Sequence, residues 1–162
     1  MFELYQVGLT FIAVLVGVIS WAGVTWRKKS RAQDLVLATP EYTEFSNVGA
    51  NGFYVATTFA GRPLNRLSAH GLGFAGKARV DVSDHGIEVY RIGERSFRID
   101  SSALVDLART SGVIDKVVEK DGLLSLRWVL GTTELETHFR FANSQSRDEI
   151  ALKVSKLIVG VK

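Results

Sequence analysis

From Leu4 to Trp26 the chain is almost wholly apolar and carries no charge, LYQVGLTFIAVLVGVISWAGVTW, and the pattern stops at Arg27-Lys28-Lys29-Ser30-Arg31. As a helix this run is about 34 Å long, enough to cross a hydrocarbon layer of about 30 Å. Only Gln6, Thr10, Ser20 and Thr25 interrupt it, too few for the polar face of a soluble core helix. A signal peptide would put its charge before the apolar run and small residues after it. Here the charge comes after the run, and Trp21 and Trp26 occupy the end, with Phe2 and Tyr5 at the other, as aromatic residues do at membrane interfaces. Flanking cations stay on the cytoplasmic side. The pattern therefore predicts a single-pass anchor in the plasma membrane, with the N-terminus outside and everything after residue 27 inside.

After the basic cluster the pattern loosens. Residues 32–52 hold a short apolar patch, Leu35-Val36-Leu37, then Pro40 and a run of Gly and Asn, and read as a tether that packs partly on the domain beyond it. From Phe53 short β-type runs alternate with turn residues. Phe53–Phe59 is the first. Lys77–Ser83 sets Ala78, Val80 and Val82 against Lys77, Arg79 and Asp81, and the His85-Gly86 turn leads into Ile87–Ile92. Ser96–Ile99 and Lys116–Glu119 come next, then the hairpin signal Asp121-Gly122 and the runs Leu123–Leu130 and Leu135–Phe141. Ala103–Thr110 fits either a short helix or an irregular edge. Ser146-Arg147-Asp148-Glu149 has the form of a capping box. Ile150, Val154, Leu157, Ile158 and Val161 then fall on one helical face.

Seven short strands and one amphipathic helix, in that order, resemble the pleckstrin-homology (PH) plan, a bent sheet with one open end plugged by the helix. The expected fold is mainly β: an N-terminal transmembrane helix, then a PH-like seven-stranded, partly open barrel capped by a C-terminal helix. The division is 1–31 for the anchor and basic segment, 32–52 for the tether and 53–162 for the domain. The blocks Tyr54-Val55-Ala56-Thr57-Thr58, Gly61 to Arg66 and Ala69-His70-Gly71-Leu72-Gly73 carry a closer resemblance. Gly112 to Val118, Trp128-Val129-Leu130-Gly131 and Leu135 to Arg140 extend it. Together they are similar to uncharacterised single-pass membrane proteins of actinobacteria with a PH-like domain, described as export or transporter-type proteins. Eukaryotic PH domains usually carry a tryptophan in the last helix. This helix has none, and Trp128 falls on a predicted strand. The resemblance thus implies the fold and not a phosphoinositide specificity.

Composition changes the picture at one point. The net charge of +3 comes from the cluster Arg27, Lys28, Lys29 and Arg31, because from residue 32 onward basic and acidic side chains balance. The expected partner of that charge is anionic lipid beside the anchor, not nucleic acid. There is no cysteine, which removes disulfides and thiolate chemistry.

The sequence between Phe45 and Val80 has no acidic residue and holds Arg62, Arg66, His70, Lys77 and Arg79. In PH domains that bind phosphoinositides, basic residues in and beside the loop joining the first two strands grip the phosphates, so the resemblance makes these five the anion- or lipid-binding candidates. Arginine suits the task through its planar fork of donors, and Gly71 and Gly73 would admit an anion close to the backbone. The three histidines show no metal-ligand spacing, and no nucleophile motif or phosphate loop is present. Neither a catalytic residue, a metal nor a cofactor is expected. Ala13-x-x-x-Gly17 has the small-residue spacing that lets membrane helices associate, so a homo-oligomer is open. The expected role is a non-catalytic adaptor or accessory protein that presents its domain at the inner leaflet to a membrane or cytoplasmic protein. An anionic-lipid sensor using the basic loop is the alternative.

Overall fold

The computed structural model describes residues 2–110 and 122–161. The chain opens with helix α1, Phe2–Val36. It does not end with the apolar run, because Arg27 to Val36 contains good helix formers and the first breaker is Pro40. One helix among the described residues is long and apolar enough to cross a membrane, and it is α1.

The strands come in the order β1 Glu41–Thr43, β2 Ala50–Phe59, β3 Arg62–Arg66, β4 Gly76–Ser83, β5 Gly86–Arg91, β6 Ser96–Asp100, β7 Leu104–Thr110, β8 Leu123–Leu130 and β9 Thr133–Phe141. Helix α2, Ser144–Val161, closes the described chain. All pairings are antiparallel, in the order β1-β6-β5-β4-β2-β9-β8-β7, with β3 paired to β2 alone. Nine strands are present among the described residues, against seven expected. The expected runs within 53–59, 77–83, 87–92, 96–99, 123–130 and 135–141 all appear, within a few residues at their ends. The ambiguous segment 103–110 is strand β7, held by its pairing with β8. The expected strand at 116–119 and the Asp121 turn position lie outside the described residues.

Strand β2 joins two three-stranded meanders. Its first half pairs with β4 and nearly its whole length with β9, with a bulge between Tyr54 and Ala56. A bulge bends the strand and re-aims side chains, so β2 can serve both halves. The sheet curls strongly. Phe97 on β6 stacks on Trp128 of β8 with ring centroids 6.2 Å apart, although four strands separate them in the sheet order. In a flat sheet that separation would be about 24 Å. The enclosed core takes Tyr54, Val80, Val89, Phe97, Leu126, Trp128, Leu135 and Phe139 from both meanders. Ile150, Ala151 and Val154 of α2 pack against it beside Val80, Ile87 and Leu124.

Two expectations need correction. The helix cap is Asn143, whose Oδ1 accepts the Ser146 N–H at 2.7 Å. Ser146 therefore lies inside the helix, and no capping box forms around it. The stretch 32–52, expected as a tether packed partly on the domain, forms the end of α1, β1 and the start of β2. Leu37 is in the core, and β1 pairs with β6 through an Arg98–Glu41 ion pair and an Arg95–Tyr42 cation–π contact.

Candidate functional site

The connection between β2 and β4 is not an open cradle. It holds β3 and a 3₁₀ turn, Ala69–Gly71, and it buries Leu67, Ala69 and Leu72 completely. An apolar plug of this kind sits where the resemblance implied an anion site. Acidic side chains also reach it from elsewhere. Asp34 Oδ1 accepts the His70 N–H at 2.8 Å and lies 3.5 Å from His70 Nδ1. Glu94 comes so close that a Cβ on Gly71 would lie 3.0 Å from its Oε2. Gly71 has φ +71°, and Gly73 is needed because a Cβ there would meet Leu67 O at 2.7 Å. Both glycines serve the packing of the loop.

The turn is clamped to α1. Gln33 Oε1 accepts the N–H groups of Ser68 at 2.7 Å and Ala69 at 3.2 Å. Higher on the same helix the ring of Trp26 meets that of Phe74, 6.0 Å between centroids. From the other side Arg91 donates to Gly71 O at 2.9 Å and to Arg95 O at 2.7 Å, its guanidinium lying over the rings of Tyr54 and Phe97. It is 3 % exposed, and burial lowers its pKa. The end of α1 thus holds in place the loop whose Leu67, Ala69 and Leu72 are buried in the core.

The five candidate residues separate into two groups. Arg62 and Arg66 are on β3, beside the far end of β2, and His70 is held in the 3₁₀ turn. Lys77 and Arg79 alternate with buried Ala78 and Val80 and share the outer face of β4. There they meet Arg140, which no spacing in the sequence singles out. In the register of the sheet Lys77 and Arg140 flank Phe53 on either side, and Asn51 lies opposite Arg79. Arg140 sits over the Phe53 ring at 5.8 Å, and Arg79 donates to Asn47 O. With Ile92 and Phe141 these residues line an open groove of about 340 Å³ that no carboxylate lines among the described residues. Three cations around an exposed aromatic ring can hold an anionic group and an apolar one side by side.

A family model described as bacterial PH domain-like matches residues 33–155. The chain belongs to the bacterial PH domain-like family. No curated protein gives a significant match. The match to the PH-like family begins at Gln33, the residue that clamps the 3₁₀ turn, so the last turn of α1 counts with the domain. It also takes in every residue of the groove. Counted from β2, the sheet order is that of two meanders joined at the first strand, with β1 added at one edge and β3 paired to the end of β2.

Proposed function

We propose that this PH-like protein is a membrane-anchored, non-catalytic adaptor whose domain, held against the inner leaflet, presents the Lys77–Phe53–Arg140 groove to an acidic segment of a partner protein. The observation that supports it most is the charge of the groove, three cations from two strands with no acid lining it among the described residues. Its shape adds to this. The groove crosses three neighbouring strands, which suits an extended polypeptide with acidic and apolar side chains in turn. The clamp between α1 and the 3₁₀ turn supports a domain held in a fixed position relative to the anchor.

The test places a photoreactive phenylalanine at position 53 of the full-length protein in its native membranes, with Leu152 on the exposed face of α2 as control. The expected result is one protein adduct from position 53, absent at 152 and lost with Lys77→Glu/Arg140→Glu. A second reading, that the groove takes an anionic lipid headgroup, is favoured by the position of Lys77 three residues after Phe74, which touches the anchor. An adduct consisting of lipid alone would select that reading over the adaptor. No charge-dependent adduct of either kind would remove both.

A further inference from the structure

The anchor and the domain touch at a place that neither the groove nor the core requires. Trp26 is the last residue of the uncharged run, and Arg27 comes directly after it. It therefore marks the depth at which a spanning helix leaves the apolar layer. Phe74, on the domain, packs its ring on Trp26 and is still 46 % exposed. A phenylalanine that pairs with an interfacial tryptophan and keeps half its surface free is at the level of the headgroups. It is also held there. Gln33 and Asp34 fix the 3₁₀ turn just before it through three backbone N–H groups, and β4 begins two residues after it.

A second apolar side chain shares this edge. Ile92 donates its N–H to Lys77 O at 3.0 Å, which puts it beside the first residues of β4, and it is 60 % exposed. Arg91, its neighbour, ties the same turn to Gly71. Phe74 and Ile92 thus come from two separate connections that the fold joins at the start of β4, next to the end of the apolar run. The charged residues nearest in the chain are Arg27 and Lys28 after Trp26, Lys77 after Phe74, and Glu94, Arg95 and the buried Arg91 around Ile92.

We infer that the bilayer carrying the anchor is also a binding surface for the domain, which seats Phe74 and Ile92 in the interfacial layer with Lys77 at headgroup level. This rests on the proposal that α1 spans a membrane. Exposed apolar side chains rimmed by cations partition into that layer to a depth of about 5–10 Å. The seating would fix the domain's rotation about the anchor and put the Ile92–Lys77 rim of the groove at the bilayer surface, leaving the Phe53–Arg140 side to a partner.

The absence of cysteine gives a direct test with the full-length protein. Single-cysteine variants Phe74→Cys, Ile92→Cys, Leu152→Cys and Val14→Cys are labelled with an environment-sensitive fluorophore and reconstituted in phosphatidylcholine/phosphatidylglycerol vesicles. Some vesicles contain lipid spin-labelled near the headgroup and others lipid labelled deep in the acyl chain. Shallow label should quench positions 74 and 92 at least about twofold more than position 152, as expected for side chains within the interfacial layer. Deep label should quench position 14. Quenching at 14 with 74 no more quenched than 152 overturns the seating and leaves the anchor intact. No quenching at 14 overturns the anchor, and the seating with it. Adding Phe74→Asp to the Ile92→Cys variant should reduce quenching at 92, and unchanged quenching there would show that Phe74 does not hold the edge down.

Discussion

His138 lies on the face of β9 opposite Leu135, Phe139 and Phe141, as alternation requires, yet it is only 1 % exposed. Its Nδ1 meets Ser125 Oγ at 2.7 Å and its Nε2 meets Thr58 Oγ1 at 3.1 Å. No carboxylate bonds either nitrogen, and burial pushes its pKa down to about 4. The unfolded chain, with an ordinary histidine near 6.5, takes up a proton first as the pH falls. Stability should therefore be full above pH 6.5 and fall between there and pH 4, by about 3 kcal/mol for a shift of this size. His138→Gln keeps a polar group in place and removes the titration. Unfolding of the detergent-solubilised full-length protein, followed by near-ultraviolet circular dichroism, should show this fall in the wild type and a flatter profile in the variant. Equal profiles would assign the acid sensitivity to other groups.

At the scale of elements, the rolled sheet is covered by helix α2 and by the β2–β4 connection, which is clamped to α1. Helix α2 packs on the core with an apolar face. Ile150→Ala, at a buried position, should cost about 2–5 kcal/mol, and Leu157→Ala, half-buried at the rim, clearly less. Asn143→Ala should cost about 1 kcal/mol and Ser146→Ala much less, because the first supplies the cap acceptor and the second only a donor N–H. A reversed order in thermal or urea unfolding would return the cap to Ser146. The α2 face was readable because five apolar residues at helical spacing admit one interpretation, and β4, β8 and β9 because their alternation does. Strand β1 is three residues long and β3 carries Pro63, so neither makes a pattern. Strand β7 exists through its pairing with β8, a contact between segments separated in the chain. The surroundings of the basic loop were hidden for a related reason. A stretch with no acid in sequence acquires Asp34 and Glu94 in space, while Arg140 enters the groove through the register of β2 with β9, which no local spacing encodes.

For the molecule as a whole, what matters is whether α1 and the domain act as one body. Gln33 and Asp34 provide the acceptors for three N–H groups of the 3₁₀ turn, two of them part-buried, and a buried donor left unpaired costs about 1–3 kcal/mol. The double variant Gln33→Ala/Asp34→Ala should therefore raise amide exchange of residues 68–70 by about tenfold or more, with β8 unchanged. Uniform acceleration would mean that the whole fold had loosened, and no acceleration would mean that the clamp is not needed. The proposed role depends equally on the side of the membrane. Arg27, Lys28, Lys29 and Arg31 come after the apolar run and Glu3 precedes it, a bias that predicts a cytoplasmic domain. Alkaline phosphatase, which folds to an active form only outside, should be inactive when fused after Lys162, and a fluorescent protein that matures in the cytoplasm should be bright at the same point. Replacing the four cations with Gln and placing Lys residues before Leu4 should move the fusion towards the opposite result. An active phosphatase on the unaltered chain would put the groove on the outer surface. It would remove the inner-leaflet adaptor and leave the fold, the clamp and the aromatic contact at Trp26 as they are.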